Sequence, residues 1–243
     1  MIKNIVLVLS ILIVFSTLSC TTIERPVESI LDSTSLQNGS VALYHIKDKN
    51  GKVIKLVKNH VVEETSHMLF VQEYSASDSE ELLRVRLSPK TLNLDYSEIV
   101  SVKTQEGDGA IQNQEPISSV ERSGSYFFLS SIQSGKKVQS RIMNDSLVME
   151  QEIMVYLLNC FPFHSLEAAS IPYINVRKQT QGIEKVVVDS LGTLMHNKQN
   201  ISVYKVILSD LGGTAWYMEE KPHILVGADF PSYTIQLSDW NGR

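Results

Sequence analysis

The 243-residue chain carries 22 Lys and Arg against 27 Asp and Glu, a net charge of −5 that offers no basic surface for a phosphate backbone and excludes nucleic acid as an expected partner. Its two cysteines exclude a disulfide-stapled scaffold, and 43% apolar residues are enough to bury a sizeable core.

The N-terminus reads "IVLVLSILIVFSTLSCTT" over residues 5–22, behind Lys3. A charged start, a short apolar run and small residues before a cysteine form a secretory signal, and the run is shorter than the roughly 20 residues a spanning helix needs. Leu18-Ser19-Cys20 resembles the lipobox of bacterial lipoproteins, although Thr17 stands where that motif usually has Leu. The resemblance implies cleavage before Cys20, diacylglycerol on its thiol and a membrane anchor. Thr21 after the cysteine resembles the outer-membrane pattern of enteric bacteria, so the expected location is the outer membrane facing the periplasm, with surface display as the open alternative. The expected organisation is a signal peptide at 1–19, lipidated Cys20 and a tether to residue 38, and a single β-rich domain at 39–243. A short helix at Val27 to Asp32 is expected inside the tether. Cys160, in "YLLNCFPF", reads as a small buried hydrophobe.

Along the domain, "SVALYHIKD" and "KVIKLVKNHVV" read as strands joined by the turn Asp48 to Gly51. "HMLFVQEYS" and "ELLRVRLS" follow, the second alternating Leu83, Val85 and Leu87 with Arg84 and Arg86, one face to the core and one to water. The polar stretch Val102 to Ser123 predicts loops with one marginal strand. "SYFFLSSI" and "SRIMNDSLVM" are strand-like again.

In "DSLVMEQEIMVYLLNCFPF", Leu147, Met154, Leu157, Leu158 and Phe161 recur at helical spacing, with Asp145 or Ser146 as N-cap and Pro162 as terminator. The spacing predicts a helix of about three turns packed on the sheet. Strands are then expected at "INVRKQT" and "IEKVVVDS", a loop at "LGTLMHNKQN", and an antiparallel meander from "ISVYKVILS" through "TAWYMEE" and "HILVGA" to "YTIQLSD". Tyr204, Val206 and Leu208 share one face of the first meander strand, and Ile201, Val203 and Ile207 the other. A strand apolar on both faces implies a covered sheet, or a curved one with an apolar concavity.

The phrases "RVRLSPKTLNLDY", "LLNCFPF" and "ISVYKVIL" followed by "GGTAWYMEEKPHILVGADFPSYTIQL" occur in the order found in a family of exported bacterial proteins known mainly as a domain of unknown function. That family is similar to the carrier-type half-barrels that handle lipoproteins and lipids, and the resemblance covers roughly residues 40 to 238. It implies a mainly β fold, a curved antiparallel sheet forming a half-barrel or open barrel, with one covering α-helix, and it brings no catalytic residues. Gly212-Gly213, Trp216-Tyr217 and Pro222 are its matching positions, suited to turns and packing.

Chemical motifs are few. "HVVEETSH" lacks the HExxH and HxxEH zinc spacings, and on strands its His60 and His67 point to opposite faces. No GxSxG elbow surrounds a serine, and "GDGAIQ" lacks a third glycine. The expectations are therefore no enzyme, no cofactor and no metal. Two functions stay open: an apolar-ligand or lipid-binding module whose pocket is lined by Leu157, Phe161, Val203, Ile207, Trp216 and Leu225, or a structural component that meets another envelope protein without a ligand.

Overall fold

Fifteen strands form one sheet in the computed structural model, which describes residues 31–76, 79–102, 116–144 and 148–241. Cys20, the signal segment, Leu147 and the cap pair Asp145 and Ser146 lie outside the described residues, as does all but the end of the Val27 to Asp32 segment. The first half comprises β1 (Val41–Lys47), β2 (Val53–Glu63), β3 (Met68–Ala76), β4 (Ser79–Leu87), β5 (Leu94–Val102), β6 (Ser118–Ser123), β7 (Tyr126–Gln133) and β8 (Lys136–Met143). The second comprises β9 (Met149–Glu150), helix α1 (Gln151–Leu157), β10 (Ala168–Asn175), β11 (Thr180–His196), β12 (Gln199–Leu208), β13 (Gly213–Met218), β14 (Leu225–Asp229) and β15 (Thr234–Asn241).

Two meanders grow outward from a central pair, β1 with β15, giving the order β8-β7-β6-β5-β4-β3-β2-β1-β15-β14-β13-β12-β11-β10-β9. Neighbours are antiparallel, as short turns demand, except that β9 pairs parallel with β10. The sheet curls until its halves meet. The Leu94 N–H donates to the Val148 carbonyl at 2.9 Å, the Val148 N–H to Asn93 Oδ1 at 2.9 Å, and Gln179 Nε2 to Ser118 Oγ at 2.9 Å. β7 and β8 run on past this seam, and β8 ends the sheet as an exposed edge bearing Lys136, Lys137 and Arg141.

The predicted alternation is present in β4, where Leu83, Val85 and Leu87 are fully buried, and in β15, where Ile235 and Leu237 are buried. β6 is the one strand expected between Val102 and Ser123, and β5 forms just before that stretch, where no element is predicted: charged and hydroxyl residues hide its period, while β4 and β6 pair with it on either side. Two expectations are corrected. β10 covers 168–175 rather than 174–180, because Arg177 to Gln179 form the turn, with Gln179 at φ 55°. β11 continues through the expected 191–200 loop to His196, and the hairpin closes at Asn197 and Lys198, both in the left-handed region.

α1 is shorter than the spacing predicts and starts at Gln151, because Glu150 accepts hydrogen bonds from the Glu152 and Ile153 N–H groups and is the true N-cap. A 3-10 turn, Leu158–Cys160, continues it. Ile153 to Leu157 are consecutive and all buried, so beyond its first two residues the helix has no solvent face. It lies in the concavity of the curled sheet and is gripped from several strands. Tyr217 of β13 donates to the Val155 carbonyl at 2.6 Å, Tyr44 of β1 packs its ring 5.0 Å from that of Tyr156, and Asn175 of β10 donates to Gln151 at 2.7 Å. Each buried aliphatic side chain contributes about 1.5–3 kcal/mol, so this plug is a main source of stability.

The stretch before β1 also departs from a free tether. The Asp32 N–H donates to the Cys160 carbonyl at 2.8 Å, Lys221 pairs with Asp32 at 2.8 Å, and Leu36 enters the core. Cys160 is buried, and burial pushes its thiol far up, in keeping with a small core residue.

The turn between β12 and β13 needs its glycines. Gly212 sits at φ 66°, and a Cβ on Gly213 would lie 2.3 Å from the Phe230 ring and 2.9 Å from the Asp229 carbonyl. Gly213→Ala is expected to cost about 1–3 kcal/mol in urea denaturation, whereas Gly192→Ala, with nothing within 4 Å, should stay within about 0.5 kcal/mol of the parent.

Candidate ligand cleft

The six residues expected to line one pocket do not surround a common space. Leu157, Phe161 and Leu225 belong to the core inside the curled sheet. On β12 the inward residues are Tyr204, Val206 and Leu208, so Val203 and Ile207 are one residue out of phase and face the convex side. Trp216 is out of phase with inward Ala215 and Tyr217, and lies opposite Lys205 in the outer row. Ile207 and Trp216 wall a broad depression on that outer face. The space beside Leu225 and Tyr156 measures about 40 Å³, enough for a few waters and not for an acyl chain. The helix is a plug rather than a lid, because its own side chains occupy the concavity.

A cleft of about 470 Å³, smaller than the outer depression of about 740 Å³ but more enclosed, opens where α1 begins, at one end of the sheet. One wall is apolar, built by Ile46 of β1, Ile54 of β2, Ile235 of β15 and the β14–β15 turn residues Phe230 and Tyr233. The opposite side is polar and comes from Lys55, Tyr74, the first helical turn and the residues after β10. Register explains the position of Lys55. Val57, Tyr44 and Leu237 pair across three strands and are buried, and two residues along lies the row Lys55, Ile46, Ile235 on the same face. Lys55 therefore points inward from a position where the pattern would continue with an apolar residue. Its ammonium lies 3.8 Å from the centre of the Tyr74 ring, and burial lowers its pKa, with Glu81 pulling the other way.

A connected set of polar groups supports the cleft. Arg177 holds Glu81 through two bonds of 2.8 and 3.3 Å and Glu152 through its Nε at 2.8 Å. Burial opposes the charge of Glu81, but its Arg177 partner outweighs that and holds the carboxyl below its usual value. The Tyr74 hydroxyl donates to Glu152 at 3.2 Å and also meets Gln72, whose amide donates to Asn59 at 2.8 Å inside the sheet. Burial, then the Glu152 charge, raises the Tyr74 hydroxyl well above its ordinary value, so it serves as a neutral donor. Glu150, fully buried, also accepts from the Val176 N–H at 3.1 Å and so ties the start of the helix to the end of β10.

His60 and His67 each face a separate carboxylate, Glu73 and Asp95, at 3.8 Å. Sequence reasoning missed Lys55, Glu150, Glu152 and Arg177. The available signals were a lysine in phase with Val57 and Val61 on β2, and the acidic "EQE" just before a helical apolar run.

No family model and no curated protein matches the chain. Among solved structures it is similar to a β-barrel-like protein of a domain of unknown function from Brucella abortus, with 7% identity, a TM-score of 0.50, and coverage of 88% of this chain and 100% of that one. Weaker neighbours are a candidate lipoprotein from Parabacteroides distasonis (9% identity, TM-score 0.31, 88% and 100% covered) and a candidate exported protein with a YmcC-like fold from Bacteroides fragilis (8%, 0.29, 88% and 99%). At 7% identity the first likeness is one of fold: a β-barrel-like architecture shared over most of both chains.

Proposed function

We propose that the mature chain is a lipid-anchored protein of the bacterial cell envelope that binds an amphiphilic ligand in the cleft and performs no chemistry on it. The observation that carries this reading is the cleft itself. Its volume falls within the roughly 300–1,000 Å³ of small-molecule sites, and it sets an apolar wall against a few polar groups on a rigid plug. Anchoring rests on the lipobox at Cys20, with the outer membrane facing the periplasm as the location.

Cys20→Ser is expected to abolish incorporation of labelled palmitate in the producing bacterium. The binding reading is tested by native mass spectrometry and organic extraction of the full processed protein. A stoichiometric amphiphile beyond the covalent anchor supports it. An apo mass that takes up no added amphiphile overturns it, in favour of an envelope component that binds a protein. That second reading has one observation in its favour, the edge strand β8 with its own Met143 and Phe128 of the neighbouring β7 exposed.

A further inference from the structure

We infer that the ligand of the cleft is a free single-chain amphiphile with an acidic headgroup, a carboxylate or phosphate, received by the ammonium of Lys55. The inference rests on the cleft being the binding site and adds the chemistry of what enters it.

Among the described residues some lysines reach an acceptor, and others, such as Lys52, Lys136, Lys137 and Lys185, reach none but stand exposed to water; Lys55 belongs to neither group. Lys47 donates to Gln236 at 2.6 Å, Lys49 to the Phe230 carbonyl at 2.9 Å, Lys58 to Glu73 at 3.1 Å, Lys205 to Asp189 at 2.8 Å and Lys221 to Asp32 at 2.8 Å. Lys55 is half-buried on the concave face, and among the described residues no carboxylate lies within ion-pair distance of it. The carboxylates nearest in its field, Glu81 and Glu152, are engaged by the Arg177 fork, and Glu152 also accepts from Tyr74. The Tyr74 ring face steadies the cation but offers the ammonium no lone pair to donate to, so its N–H groups remain available to the cleft.

Charge around the cleft points the same way. Its lining carries Lys55, Arg177 and Lys178 against Glu152, and with Glu81 held behind it by Arg177 the local balance is three positive groups to two negative, in a chain whose net charge is −5. Such a local reversal of sign concentrates anions at one place on an otherwise acidic protein. A lysine acts as a point charge and suits a carboxylate or a phosphate equally. The row from Lys55 through Ile46 to Ile235 then sets the geometry: headgroup at the polar end, chain along the isoleucines, each buried methylene adding about 0.8 kcal/mol. A cleft of about 470 Å³ suits one chain rather than two.

The test uses the full processed protein in nanodiscs and a photoactivatable C12 carboxylic acid beside the C12 alcohol with the same diazirine chain, with labelled peptides identified by mass spectrometry. The acid is expected to label peptides carrying Ile46, Ile54 or Tyr233 about tenfold more than the alcohol. Lys55→Gln should reduce acid labelling to the alcohol level, and Lys55→Arg should retain the preference. Equal labelling by acid and alcohol overturns the acidic headgroup while leaving the cleft reading intact. No labelling of these peptides by either probe overturns the cleft reading as well. An acid preference that survives in Lys55→Gln overturns the role of Lys55.

Discussion

Glu150→Ala is expected to be among the most damaging single substitutions, lowering stability by about 3–5 kcal/mol. One side chain serves three backbone N–H groups: those of Glu152 and Ile153 in the first turn of α1, and that of Val176 after β10. An unpaired buried donor costs about 1–3 kcal/mol and the loss of an N-cap about 1 kcal/mol, and all three donors lose their shared acceptor at a fully buried position. Urea denaturation followed by circular dichroism reads the loss directly.

The same residue gives a pH signature of defined sign. Burial, and secondarily the Glu152 charge, raises its carboxyl from 4.5 to about 8, against the pull of the backbone donors. Between those values the unfolded chain has released the proton that the folded chain still holds. Its contribution to stability is therefore full below about 4.5, declines as pH rises towards 8 and is flat beyond. Other carboxyls, such as Glu81 with its lowered value, drive the total in the opposite direction, so the contrast must be drawn against Glu150→Gln, which keeps an acceptor and does not titrate. The stability of the parent minus that of Glu150→Gln is expected to fall by a few kcal/mol between pH 4.5 and 8. A difference that stays flat or rises across that window contradicts the assignment.

Leu157→Ala is the second large effect, expected to cost about 3–4 kcal/mol. A lid over an empty pocket would lose little on truncation of Leu157, since the pocket would simply enlarge. A plug loses the transfer free energy of the side chain and gains a void among neighbours held by β-sheet hydrogen bonds. Leu157 is 0% exposed, and the adjoining Tyr156 and Val155 are fixed by Tyr44 and Tyr217, so collapse around the void is restricted. Leu191→Ala, at 56% exposure on β11, is the comparison, with an expected change within about 0.5 kcal/mol. Near-equal midpoints for the two variants would contradict the plug.

Part of this architecture is legible without coordinates. The alternation of Leu83, Val85 and Leu87, the turn at Asp48 to Gly51 and the helical spacing of Met154, Leu157, Leu158 and Phe161 are signals carried by near neighbours. They lie where strand, turn and helix form. A strand with interrupted alternation, β5, is not legible in this way, because its partners rather than its own composition hold it in place.

The candidate site was legible least of all. Val203, Ile207 and Trp216 are apolar, as pocket residues often are, yet alternation alone does not say which face is concave. Lys55 reads in sequence as one of many surface lysines, and Arg177 as part of a strand that proves to be a turn.

The amino-acid sequence by itself determined a mainly antiparallel β chain with one helix near residue 155, its reversals, and the two faces of its regular strands, since period and turn chemistry act within a few residues. Only the tertiary structure decided that β1 joins β15, with Lys47 bonded to Gln236 across 189 positions, that the sheet curls around α1, and that Lys55 faces a cleft. Backbone hydrogen bonds are alike for every pair of strands, so pairing and curvature follow from how the whole set of apolar faces can be buried at once.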